Sequence, residues 1–355
     1  SLRCPMAVVE ETSPQLALKA ERGDSMKLSQ LALGLVIGAV GLGLLAPVPS
    51  VGQASRTWTV CPQGGCDFQR IQEAIDAAAD GDTILIRAPG IYRENLTITK
   101  SLTIAPFQAF PVILQPAGAF IGPVITVKGE RAIRVTLKDL IVQGWAVDQG
   151  FAVYITGQAQ VSFNNIEVGP SVYFGLTVYD QAQVTIKDSR FRENGTGLSI
   201  GDSSQVIVES SIFFANRVSA IFVSRNGQLR LVRSTIFGTE LNAFSGIGID
   251  AVDASRVVIE GSQIYNNRAS GLVAGGSSTI EISNSTVAYN GTSGILLTEQ
   301  ANLVVRESVI HNNPWGIAAF LIKCGFDRDW YSGGTVQIDP STVLVKNGKG
   351  DICLP

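Results

Sequence analysis

One position in the chain gathers charged side chains at near-constant intervals: Asp180, Asp202, Arg225, Asp253, Gly276 and Glu299, each 22 to 28 residues after the last. Two companion sets precede it. The first is Tyr154, Thr177, Ser199, Phe222, Asp250, Val273, Leu296 and Ala318; the second is Thr156, Tyr179, Gly201, Ser224, Val252, Gly275, Thr298 and Phe320. If each interval is one coil of stacked strands, equivalent residues lie about 4.8 Å apart. Asp180 and Asp202 would then be close enough to share a calcium ion. Arg217 or Arg225 could act as the base that removes a proton from a carbon acidified by such a cation. The same aspartates, in the pattern x-Asp-x-Ala/Ser, are also ordinary turn formers. Tyr154, Tyr179 and Phe222 supply aromatic faces, joined by Trp145 and Phe244 from neighbouring bends. With Glu240 and Asp250 as hydrogen-bonding partners, this set suits a sugar chain, whose C–H faces pack on rings.

Composition excludes several other chemistries. Among 355 residues, 27 basic and 30 acidic side chains give a net charge of −3, which leaves no basic footprint for nucleic acid. One histidine and two methionines argue against a histidine-centred site or a soft-metal carrier. No cofactor is implied apart from the calcium ion. Charged residues at 16% and 37 glycines suit a large, regular β-protein with many turns.

What positions these residues is a repeat. Serine recurs at Ser189, Ser211, Ser234, Ser262, Ser285 and Ser308. Five residues after each stand Asn194, Asn216, Thr239, Asn267, Asn290 and Asn313, and two residues after each an apolar side chain, from Phe191 and Phe213 to Ile310. Gly197, Ala220, Gly248, Gly271, Gly294 and Gly316 restart the cycle. Short stretches of period two, parted by Gly/Asn/Asp/Ser turns, cannot bury a face alone; stacking copies buries one continuous core. The expected fold is therefore all-β, a single-stranded parallel β-helix of about ten coils between Thr83 and Phe320. The asparagine column reads as a hydrogen-bonded ladder, the serine column as polar packing at a bend, and His311 as a bend residue.

The ends differ from the body. Met26-Lys27 precedes residues 31–46, all apolar or glycine, and then Gly52-Gln53-Ala54. This is the pattern of a signal peptide cleaved after Ala54, or of an uncleaved signal anchor, the one membrane attachment foreseen. Either places the protein outside the cytoplasm: secreted, periplasmic or on the cell surface. Cys61, Cys66, Cys324 and Cys353 form an even set, expected to pair as Cys61–Cys66 and Cys324–Cys353. Ile71, Ala74, Ile75 and Ala78 have helical spacing and predict an amphipathic plug at the open end of the solenoid. The boundaries are thus 1–54 for the upstream extension and signal segment, 55–82 for the helical cap, 83–321 for the β-helix and 322–355 for a C-terminal cap.

The run from Phe68 to Ile86, Phe-Gln-Arg-Ile-Gln-Glu-Ala-Ile-Asp-Ala-Ala-Ala-Asp-Gly-Asp-Thr-Ile-Leu-Ile, followed by Pro89-Gly-Ile-Tyr-Arg-Glu-Asn95, resembles the opening of pectin methylesterases. It also resembles other right-handed parallel β-helix proteins of the pectate-lyase-like superfamily. The later Asn-x-x-Gly-Ile/Leu bends are similar to NosD-type repeats. The resemblance covers most of residues 57–320 and implies a right-handed solenoid that binds, and as an enzyme would modify, polysaccharide, as a lyase or a related activity. The chain departs from the esterase pattern at the nucleophile, where Ser234-Thr235-Ile236-Phe237-Gly238 stands in place of Asp-Phe-Ile-Phe-Gly. Pectin methylesterase activity is not expected. The expected partner is a polysaccharide or cell-surface glycan bound by a monomer; the alternative is a non-catalytic scaffold for protein contacts.

Overall fold

The computed structural model describes residues 54–118, 122–144, 151–240 and 245–355. Trp145, Phe244 and the signal segment up to Gln53 lie outside them. The described chain winds through about eleven turns, each with three short strands on three faces. Gln183–Lys187 (first face), Arg190–Arg192 (second) and Asn194–Ile200 (third) make one such turn. Each strand pairs in parallel with its equivalent one coil later. The register runs unbroken through the core: Val184, Val206, Leu229, Val257, Ile280 and Leu303 stand over one another on the first face. All six are buried, as the period-two pattern requires. Within the C-terminal segment, residues 336–353 continue the stack. Val336–Ile338, Val343–Val345 and Gly350–Cys353 pair with the strands before them and complete a further coil.

The helix expected at the N-terminal end spans Ile71–Ala77 and buries Ile71, Ala74 and Ile75. Its ends are satisfied from the first coils. Glu94 accepts the amides of Ile71 and Gln72 at 3.0 and 3.1 Å, and Lys100 donates to the carbonyls of Ile75, Asp76 and Ala78. Both contacts place charge where the exposed amides and carbonyls of a short helix want it.

Two internal ladders hold the bends between faces. At the first bend, each serine hydroxyl donates to the carbonyl two residues earlier and accepts an amide of the coil before, that of Ile166 at Ser189 and that of the preceding serine from Ser211 onward. Ser211 Oγ, for example, lies 2.8 Å from the Glu209 carbonyl and 3.1 Å from the Ser189 amide. At the second bend, Asn194 donates to Asn216 Oδ1, Thr239 to Asn267, Asn267 to Asn290, Asn290 to Asn313 and Asn313 to Asn347. Buried amides tolerate burial only when bonded, and this column supplies those bonds except at its first member, where Asn194 Oδ1 has no partner among the described residues. The small residues that restart each coil lie against it: a side-chain carbon on Gly248 would meet the Gly271 carbonyl at 2.4 Å. Both expected disulfides, Cys61–Cys66 and Cys324–Cys353, are formed. No helix among the described residues is long and apolar enough to cross a membrane.

Candidate functional site

The two outward sets read from the sequence are true columns on the third face. Tyr154, Thr177, Ser199, Phe222, Asp250, Val273, Leu296 and Ala318 stand opposite one another in successive strands. At the C-terminal end the column is covered. Cys324 is tied to Cys353, the residue stacked on Ala318, and Phe320 packs on Phe326 and Trp330 at 4.4 and 5.7 Å. Leu296 and Ala318 are accordingly buried although they point outward. From Tyr154 to Val273, about 24 Å for five coil steps, Tyr154, Phe222, Asp250 and Val273 are half-buried, whereas Thr177 and Ser199 between them are buried.

Aromatic side chains begin this stretch. Phe151 stacks on Phe174 at 5.3 Å and meets Tyr154 edge-on; Tyr154 meets Tyr179 edge-on at 6.2 Å. Tyr179 reaches along the axis over Gly201, where an added side-chain carbon would lie 2.3 Å from its ring. Arg225 sits over the same ring, 5.6 Å from its centre. Burial, with the nearby Asp180, Tyr179 and Asp202, pushes the Tyr154 hydroxyl above its usual range.

The charged column beside the face forms a third ladder. Each of its residues holds a left-handed backbone, with φ of 62° at Asp180, 53° at Asp202, 56° at Arg225 and 59° at Asp253. The carboxylates accept the amide of the coil before: Asp180 from Gly157, Asp202 from Asp180, Asp253 from Arg225 and Glu299 from Gly276. Asp202 also receives the Arg225 guanidinium. Burial draws the Asp202 carboxyl upward, yet the guanidinium and the Asp180 amide hold it below the usual carboxylate range. Asp180 and Asp202 also line one concavity of ≈ 440 Å³ with Gly129, Glu130, Gly157, Gln158, Gln181 and Ser203. Each of the two has an oxygen already committed to backbone. Among the described residues, no three His, Cys, Asp or Glu side chains gather in a group that could hold a metal ion.

Asp250 is a different carboxylate. It is half-buried between Phe222 in the coil before and Val273 in the coil after, and burial pushes its carboxyl up to about 6. Among the described residues it has no hydrogen-bond or ion-pair partner. Arg217 and Glu240 lie on the far edge of the face, at the second bend. Together with Arg268 they follow the asparagine ladder, in the order Arg217, Glu240, Arg268. Arg217 and Arg225 therefore stand on opposite edges and do not converge.

Sequence reasoning missed Phe151 at the head of the face and an aromatic column on the second face. There Phe214, Phe237 and Tyr265 stack at 5.7 and 5.3 Å with rings nearly parallel. Their common place three residues after Ser211, Ser234 and Ser262 was the available signal. Their faces are spent on one another, so they strengthen the stack and offer a ligand only edges. A separate concavity of ≈ 530 Å³ lies off this face, lined by the Phe107 to Pro111 loop with Lys138, Asp139, Asn165, Glu167 and Arg190.

The sequence matches the family model described as the right-handed beta helix region over residues 124–243 and again over 233–343, together more than half the chain. None of the curated proteins compared matches it. Among solved structures, the A-module of mannuronan C-5 epimerase AlgE4 from Azotobacter vinelandii has a TM-score of 0.58 at 17% identity, over 80% of this chain and 92% of that one. ORF18 of Geobacillus virus E2 scores 0.55 at 14% identity, over 76% of this chain and 55% of that one. A double mutant of the periplasmic alginate epimerase AlgG scores 0.52 at 14% identity, over 77% of each chain. At these identities the likeness is one of fold. With the parallel stacking of its coils and the repeated family match, the chain belongs to the right-handed β-helix family.

Proposed function

We propose that the third face binds polysaccharide outside the cytoplasm. The observation that carries this reading is the run of half-buried Tyr154, Tyr179, Phe222 and Asp250 along the third face of the solenoid. Rings give C–H packing surface, and carboxylates beside them give directional hydrogen bonds, the pairing a sugar chain needs. Two fold relatives, the mannuronan and alginate epimerases, are named for polysaccharide substrates, which supports the reading at the level of ligand class. Two disulfides support an oxidising compartment.

Chemistry on the bound chain is the finer part of the proposal. Asp250, held at about 6 by burial, has the proton affinity of a group able to exchange protons near neutrality. Arg217 lies on the other edge and Arg225 is engaged with Asp202, so neither is placed as well for that task.

The test is binding of the purified protein to a panel of soluble polysaccharides. Tyr179→Ala and Phe222→Ala should each weaken the affinity about tenfold, near 1.4 kcal/mol, with unchanged circular dichroism. A folded protein that binds no glycan, or is indifferent to both changes, would replace this reading with the protein-scaffold one.

A further inference from the structure

We propose that the glycan accepted by the third face is a neutral one, its hydroxyls donating to carboxylates, and not a uronate or other polyanion. This rests on reading the face as a polysaccharide site and adds the class of polymer.

The charges along this edge are one-sided. Between Tyr154 and Val273 the face and its adjoining bend carry Asp180, Asp202, Asp250 and Asp253, and Glu130 lines the concavity beside the first two. Against them stands Arg225, whose guanidinium is bound by Asp202. A polyanion laid along this edge would meet like charge at Asp180 and Asp202, one coil or about 4.8 Å apart and thus well inside the screening length of roughly 8 Å at physiological salt. It would meet like charge again two coils on, at Asp250 and Asp253. Lys128 lies one coil beyond Thr156, at the N-terminal limit. Arg217 and Arg268 stand on the opposite edge, with Glu240 between them.

The same groups suit a neutral sugar. Ionised carboxylates only accept hydrogen bonds, and hydroxyls are the donors that sugars carry in abundance. Asp250 is the strongest acceptor on offer: it lacks a partner among the described residues and lies between Phe222 and Val273, so a sugar ring packed there brings hydroxyls to it. Thr177, in the same column and 1% exposed, keeps an Oγ1 with no hydrogen-bond partner. Its oxygen is closed off from the surface, so Asp250 is the acceptor this face presents. Burial already disfavours the charged form of Asp250, and a uronate beside it would disfavour it further.

The experiment compares soluble neutral oligosaccharides (gluco-, manno- and xylo-oligomers) with alginate and polygalacturonate, by calorimetry, with chelator and with calcium. A neutral glycan should bind at least about tenfold tighter than either polyuronate. Its affinity should change less than about twofold between about 50 and about 500 mM salt. Asp250→Asn, which keeps size and polarity, should weaken neutral-glycan binding several-fold with unchanged circular dichroism. Preference for a polyuronate, with or without calcium, would overturn the neutral-glycan inference and leave the polysaccharide reading standing. Unchanged affinity of Asp250→Asn would overturn the acceptor role. No binding to any glycan would overturn both.

Discussion

Asp250 and its neighbours in the acidic column separate two kinds of carboxylate that look alike in a sequence. Asp180, Asp202 and Asp253 were legible as turn residues, because the left-handed backbone that aspartate tolerates recurs at the coil period. Whether they also faced a cation was not legible. That depended on where the amides of the neighbouring coil point, and those amides now occupy one oxygen of each. Asp250 was legible as outward-facing but not as unpartnered. Its carboxyl is raised from the usual carboxylate value to about 6, so the folded state holds the proton more tightly than the unfolded chain. The resulting stability is fully present below the unfolded value and is lost as pH rises through about 6. Asp250→Asn should therefore be the more stable protein at pH 8, by about 3 kcal/mol, and far less so at pH 4. Thermal denaturation at the two pH values reads this directly. Equal stability at pH 8 would mean that the ionised carboxylate is not penalised where it sits.

The ladders set the register of the elements. The asparagine column was legible because a polar residue recurring at a core-facing bend has few other uses. The stacked Phe214, Phe237 and Tyr265 escaped notice because an outward aromatic position obeys no burial pattern, and only the serine period marks it. Asn267 tests the ladder. Its amide nitrogen donates to Asn290 Oδ1 at 3.0 Å, and its oxygen accepts from Thr239. In Asn267→Asp the donor becomes a second acceptor facing Asn290, with a charge inside the coil. The expected loss is about 3 kcal/mol, seen as a lower midpoint in denaturant. An unchanged midpoint would count against a buried amide stack. Asn267→Ala, which removes the donor without adding charge, should cost less.

At the scale of the molecule, stability in a solenoid is a sum over neighbouring coils, and the ends are where it is thin. The N-terminal end is closed by the helix that Glu94 and Lys100 hold in place. The other end depends on the bridge from Cys324 to Cys353, which ties the excursion after Phe320 to the last coil. Replacing both cysteines by serine should release residues 320–335 and 350–353 to rapid amide exchange. Exchange at Ser219–Val223 and Ile247–Ala251 should stay slow. Loss of protection throughout would show that the coils do not behave as separable units. The general architecture was legible because repetition repeats its evidence. A C-terminal cap tied by Cys324–Cys353 was legible too; that it covers Leu296 and Ala318 on the third face was not, since this hangs on a non-repeating stretch.

All three ladders run the same way. The amide of Ser189 reaches forward to Ser211, that of Asn194 to Asn216 and that of Asp180 to Asp202, and at these rungs the side chain comes from the coil made later. A coil leaving the ribosome therefore carries amides whose acceptors have not yet been synthesised. Order must trail the growing chain by about one repeat, and the newest coil is always the incomplete one. Shortening from the front would strand side-chain oxygens, which water serves readily; shortening from the back would strand bend amides of the new terminal coil. The two ends of this rod are thus unequal as places to cut, extend or fuse it.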